Sequence, residues 1–135
     1  MRVILMPLGV VVALAAAGCG SRFQTLGPTP AGEGIVIYMH ADFVGPSQGI
    51  NVDVADLGKV EGSCSSGAEG ETPTWAHCVS SVKVLPGWSA TLYRDKNYRG
   101  ESVAVTSDTP NLKNLRGPCR DTFNDCVSSI RVVRQ

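Results

Sequence analysis

The sequence predicts an all-β domain made from two copies of one motif, about eight antiparallel strands in two packed sheets. Three observations carry that expectation. First, Tyr38-Met39-His40-Ala41-Asp42-Phe43-Val44-Gly45 returns 55 residues later as Tyr93-Arg94-Asp95-Lys96-Asn97-Tyr98-Arg99-Gly100, and the same offset carries Leu57 onto Leu112 and Cys64 onto Cys119. A second block returns at an offset of 48: Trp75-Ala76-His77-Cys78-Val79-Ser80-Ser81-Val82 becomes Phe123-Asn124-Asp125-Cys126-Val127-Ser128-Ser129-Ile130. The first copy therefore holds seven extra residues between its cysteines. Second, no helical periodicity is sustained, and short segments rich in Val, Ile, Thr and Tyr are broken by Gly and Pro at the spacing a sandwich requires. Third, two copies are too few for a solenoid, so they are expected to pack on each other as halves of one domain.

Residues 1–18 stand outside this pattern. Arg2 is followed by an uncharged, mostly apolar run that is short for a membrane span, which reads as a cleaved export signal. Ala16-Ala17-Gly18-Cys19 resembles a bacterial lipobox, in which the cysteine is lipidated and becomes the new N-terminus; Ala16 stands where Leu is usual. A plain secretory signal cut near Gly18 is the alternative. Acyl chains on Cys19 would anchor the chain to the membrane of a bacterial envelope. In a cell with two membranes, Gly20 and Ser21 lack the Asp that marks inner-membrane retention, which points to the outer one. Residues 19–33, rich in Gly, Pro, Ser and Thr, read as the lipidated cysteine and a flexible tether. Residues 34–135 form one domain, with motif one at 34–85 and motif two at 89–134, separated by Pro86-Gly87.

The clearest strands are 35–38, 49–54, 79–85, 90–93, 102–106 and 128–133. Alternation places Ser128, Ile130 and Val132 on one face, with Ile130 and Val132 turned to a core and Ser80, Val82 and Val84 repeating the pattern. Trp75 and Phe123 are expected in the core. Without the leader the chain carries 11 basic and 12 acidic residues and no basic run, so a nucleic-acid footprint is absent.

Five cysteines divide into Cys19 and four in the domain. An even number in an exported chain argues for disulfides, and four cysteines permit three connectivities. The repeat favours Cys64–Cys78 and Cys119–Cys126, one within each copy. The rival is a zinc site using these thiolates with His40 or His77; no C-x-x-C pair supports it. A catalytic constellation was sought: the chain has neither a G-x-S-x-G elbow nor H-E-x-x-H, and it reads as a non-enzyme. Asp42, Asp53, Asp95 and Asp108 fall near hairpin turns, where carboxylates are expected to satisfy local amides.

These residues resemble the βγ-crystallin family, whose Greek-key motif reads aromatic, four residues, Tyr or Phe, any residue, Gly. Tyr38/Phe43/Gly45 and Tyr93/Tyr98/Gly100 meet it twice. The resemblance implies two Greek keys in a β-sandwich, with Ser107 in the role of the serine that ties down the folded hairpin and Val52 as a departure. Microbial members also carry Asn/Asp-Asn/Asp-x-x-Ser/Thr-Ser, a calcium motif that Asn124-Asp125-Cys126-Val127-Ser128-Ser129 fits. The resemblance thus implies calcium held by Asn124, Asp125 and Ser128, with Ser80 as the first copy's hydroxyl ligand, the two sites lying across the motif pair. Calcium prefers such oxygens. Copy one departs from the pattern with Ala76-His77: Ala offers no ligand, and His suits a hard cation poorly. At most one good calcium site is expected.

The leading expectation is therefore an envelope-anchored, calcium-binding structural module. The alternatives are a proteinase inhibitor, or a module binding a partner protein or glycan, through the disulfide-restrained 64–78 loop. Some actinobacterial proteins of this fold inhibit metalloproteinases. They have a cysteine just before the first aromatic, where Ile37 and Leu92 stand here, and this counts against close kinship.

Overall fold

The computed structural model describes Leu26 and residues 32–64 and 70–135. The export signal, Cys19 and most of the tether lie outside the described residues, as do residues 65–69 of the first copy's insertion. Leu26, from the expected tether, packs against the core.

Eight strands follow in order: β1 (Ile35–Tyr38), β2 (Ser47–Ile50), β3 (Glu61–Cys64), β4 (Ser81–Val84), β5 (Trp88–Asp95), β6 (Arg99–Val105), β7 (Arg116–Cys119) and β8 (Ser129–Arg134). Six of them form two antiparallel three-stranded sheets, β2-β1-β4 and β6-β5-β8, each built from its own copy, while β3 and β7 make only isolated bridges. The copies are then sewn together by exchange. Val54, beyond β2, bridges Ile130 on β8, and Thr109, beyond β6, bridges Val82 on β4. Each sheet thus borrows its fourth strand position from the other copy, which makes two Greek keys one domain.

The expected alternation produces the core. Ile35 and Ile37 on β1, Leu92 on β5, Val82 on β4 and Ile130 on β8 are fully buried between the sheets, while Val84 and Val132 pack at the margin. Trp75 and Phe123 are also buried, as expected. Both lie against a glycine of the strand folded back over them. A Cβ on Gly62 would stand 2.5 Å from the Trp75 ring, and one on Gly117 would strike Phe123. Expectation missed β3 and β7, because Glu61-Gly62-Ser63-Cys64 and Arg116-Gly117-Pro118-Cys119 carry no β-propensity signal. They are held by bridges to one residue each, Thr74 and Thr122.

The expected disulfides are both present: Cys64–Cys78, spanning 14 residues, and Cys119–Cys126, spanning 7. The zinc alternative for these thiols is set aside. Each bond joins the end of a folded-back strand to the third position of a Ser-Ser motif, so each copy closes its own loop.

Candidate functional site: paired clefts between the copies

Each copy begins with a hairpin that would unravel on backbone preference alone. Asp42, Phe43 and Gly45 have φ of 59, 60 and 84°, and Asn97, Tyr98 and Gly100 have 57, 59 and 77°. Left-handed backbone is costly for Phe and Tyr, so other bonds must hold it. The Ser81 hydroxyl accepts from the Phe43 N–H (3.1 Å) and donates to the His40 carbonyl (2.6 Å). The Ser129 hydroxyl repeats this with the Tyr98 N–H (3.0 Å) and the Asp95 carbonyl (2.6 Å). Both serines are fully buried. Ser107 does not perform this role: its carbonyl accepts from Thr109. The tying serine comes instead from the last position of the Ser-Ser motif, because β4 pairs with β1 and β8 with β5, which sets Ser81 and Ser129 beside the hairpins.

Aromatic packing completes each hairpin. Tyr38 and Phe43 meet edge to face at 5.7 Å, and Tyr93 and Tyr98 at 5.8 Å. Lys83 lies 5.0 Å over the Phe43 ring and Arg131 4.3 Å over the Tyr98 ring. Burial pushes the Tyr98 hydroxyl above the usual tyrosine range; the Asp53 carboxylate adds to the rise and the Arg131 guanidinium opposes it. Asp53 and Asp108, expected to serve local turns, instead reach across the copies. Asp53 accepts from the Val132 N–H and Asp108 from the Val84 N–H, each at 2.9 Å.

These ties bring the Ser-Ser motifs face to face. The His77 N–H donates to the Val127 carbonyl (3.1 Å) and the Asp125 N–H to the Val79 carbonyl (3.0 Å). His77 and Asp125 are both left-handed, with φ of 55 and 52°. This crossing aims each copy's second motif residue at the other copy's serine. The Ser80 hydroxyl lies 3.3 Å from Asp125 Oδ1, and the Ser128 hydroxyl lies 3.4 Å from His77 Nε2.

Asn124, Asp125, Ser128 and Ser80 were expected as ligands of two sites lying across the motif pair, and the structure gathers three of them in one cleft. Ser80, Asn124 and Asp125 share a cleft of about 390 Å3 that is also walled by Met39, His40, Ala41, His77 and Lys113. Its chemistry is oxygen-rich, with one carboxylate, one amide and one nearly buried hydroxyl. Asn124 Nδ2 donates to Asp125 Oδ2 at 2.6 Å. Ser128 faces the other way, toward His77. Asn124, Asp125 and Lys113 also border a second hollow of about 630 Å3, with Arg120, Thr122 and Cys119. Sequence reasoning missed Lys113, which gains its place at the cleft only when the copies cross.

The model of peptidase inhibitor family I36 matches residues 37–105, just over half of the chain. The development-specific protein S homolog of Myxococcus xanthus is 31% identical over 99 residues, 73% of this chain. The chain spans 47% of that protein's length. A structure from work on the evolution of the eye-lens βγ-crystallin domain fold superposes with a TM-score of 0.59 at 26% identity, covering 82% of this chain and 94% of the other. A βγ-crystallin domain from Flavobacterium johnsoniae gives 0.54 at 28%, covering 75% and 94%. The family match begins at Ile37, one of the two positions whose lack of cysteine argued against kinship with inhibitors. It runs through motif one from Ile37 on, insertion included, to the end of β6. With a βγ-crystallin fold and a disulfide in each copy, the chain belongs to peptidase inhibitor family I36.

Proposed function

We propose that this chain is a non-enzymatic, envelope-tethered inhibitor domain that blocks a peptidase by binding it. The family match over residues 37–105 carries this reading. The fold supports it, because an inhibitor must stay rigid against its target, and a surface ordered in advance loses little entropy on association. The ends of the long loop in copy one are fixed in that way. Thr74 bridges Glu61 and Cys64, the Gly62 N–H donates to the Pro73 carbonyl (2.9 Å), and Cys64–Cys78 closes the base. The proposed contact is this 64–78 segment, of which residues 65–69 lie outside the described residues. The test is to titrate the oxidised protein against a thermolysin-type metallopeptidase, then serine and cysteine peptidases, with a short peptide substrate. Stoichiometric inhibition is expected, lost when the loop is cut to copy-two length and the melting temperature holds. No inhibition of any class would refute the reading.

A second property is favoured by the Ser80–Asp125 approach: one calcium ion in the first cleft. The donors fit a hard cation, and Asp125, Asn124 and Ser80 would hold it. The ion would strengthen the link between the copies that the long Ser80–Asp125 hydrogen bond makes without it. At about 1 mM free calcium, a dissociation constant of roughly 10–100 µM would stabilise the fold by about 1.4–2.7 kcal/mol. Calorimetry with parallel melts checks it: one binding event and a matching rise in Tm, both abolished by Asp125→Ala. The lipid anchor at Cys19 and an outer-membrane location complete the proposal.

A further inference from the structure

The repeat relates the first cleft to the Ser128–His77 side of the motif crossing, the place of a second cleft by symmetry, yet the charges there are arranged oppositely. The offset of 55 carries Ala41 onto Lys96 and Gly58 onto Lys113, and the offset of 48 carries Ala76 onto Asn124, His77 onto Asp125 and Ser80 onto Ser128. The second cleft therefore replaces the amide and carboxylate with a methyl group and an imidazole. It also places a lysine where the first cleft has only the Ala41 methyl.

That lysine is engaged. Lys96 Nζ lies 3.2 Å from Asp56 Oδ2, with the Asp56 side chain 14% exposed and the Lys96 side chain 61%. The other oxygen, Asp56 Oδ1, accepts from the Gly58 N–H at 2.8 Å, capping the 3-10 turn Leu57–Lys59. A Cβ built on Gly58 would stand 3.8 Å from both Lys96 Nζ and the Ala76 methyl. The ammonium thus occupies the corner between Gly58 and Ala76, the counterpart of the corner between Lys113 and Asn124. Room exists there because residue 58 has no side chain. Asp56 is occupied by Lys96 and Gly58, and Ser128 faces His77, so among the described residues this corner offers a divalent ion no carboxylate free of a partner.

We propose that Lys96 is a tethered cation that takes the place of a metal ion in the second cleft. It joins the β5–β6 hairpin of copy two to the capped turn of copy one, as an ion in the first cleft would join Asp125 to Ser80. The domain then has one metal-responsive link and one permanent link. A residue-based cation cannot be removed by a chelator, so half of the junction holds whatever the calcium level outside the cell. The inference rests on the calcium reading only for its comparison with the first cleft.

The experiment has two arms, each with its own way to fail. In the first, Lys96→Ala is melted in EDTA beside the unaltered protein. Tm should fall by about 1–4 °C, as a pair exposed on its lysine side allows, and added calcium should not restore the difference; an unchanged Tm overturns the tethered-cation role. In the second, Ala76→Asn, His77→Asp and Lys96→Ala are combined to rebuild the second cleft on the residues of the first, and calcium is titrated by calorimetry. One binding event more than the unaltered protein shows is expected; an equal count in a variant that keeps its circular dichroism overturns the proposal. If the unaltered protein binds no calcium, the first-cleft reading fails, while the gain of an event in the variant still decides this one.

Discussion

The two copies share a backbone and differ in what they leave available. Copy two keeps Asn124-Asp125 and a short loop closed by Cys119–Cys126, and its carboxylate faces the Ser80 hydroxyl. Copy one has Ala76-His77 and a loop twice as long, and its imidazole faces Ser128. Yet the hairpins, their serines and their cross-copy aspartates match bond for bond. The hairpins and motif crossings are what the fold cannot lose, since they hold backbone in left-handed conformations. Ligand positions and loop length lie outside that frame, so they diverged without cost to it. Copy two carries the carboxylate and amide that the proposed ion needs, and copy one carries the extended loop.

The largest expected effect tests whether loop length matters to stability in the way this division implies. Replacing Cys64 and Cys78 by serine should cost more than replacing Cys119 and Cys126. The chain-entropy estimate gives about 3 kcal/mol for the longer loop and about 2.4 kcal/mol for the shorter. Urea denaturation of the two paired variants measures the difference, expected near 0.6 kcal/mol. A reversal would show that the short copy-two loop is restrained by more than its covalent closure.

The serines test the shared frame. Ser81→Ala and Ser129→Ala each leave a hairpin N–H and a carbonyl without a partner, at a cost of about 1–3 kcal/mol. Equal losses in thermal melts are expected, because the two environments match in every bond. Losses differing by more than about 1 kcal/mol would break the equivalence on which the comparison stands.

The matching frame was legible in the sequence where side-chain type alone decides. The aromatic-aromatic-glycine spacing located both hairpins, the 48-residue offset located both Ser-Ser motifs, and the cysteines paired as symmetry required. What failed depended on partners distant along the chain. Asp53 and Asp108 reach backbone 79 and 24 residues away, which no local turn rule anticipates. Ser129, and not Ser107, ties the hairpin because of the strand order, which is a tertiary fact. Strands β3 and β7 were missed because they exist through one bridging threonine each and a glycine lying on an aromatic ring, not through β-propensity. In the clefts, the ligand types were readable and the opposing cations were not, since Lys96 and Lys113 acquire a role only once the copies are crossed.

The smallest effect follows from Lys113. Its side chain walls the first cleft beside Asn124 and Asp125. Among the described residues it makes no ion pair, whereas Lys96 is paired to Asp56. An unpaired ammonium opposes a divalent ion in the same cleft. At roughly 8 Å in a water-like dielectric the repulsion is about 1 kcal/mol. Lys113→Ala should therefore tighten calcium binding about fivefold at low ionic strength, and the gain should shrink as salt is added, because the cleft is open to solvent. Calorimetry at two salt concentrations reads both effects. The Asn111 cap survives the substitution, since it accepts from the backbone N–H of residue 113, so altered affinity cannot be ascribed to a melted turn. An affinity that ignores the substitution at low salt would place the ammonium outside the field of the bound ion. The asymmetry between the copies would then rest on Asn124 and Asp125 alone. A gain that persists at high salt would mean that Lys113 blocks the cleft by its bulk, and that the Ala41 wall opposite sets how far an ion can enter.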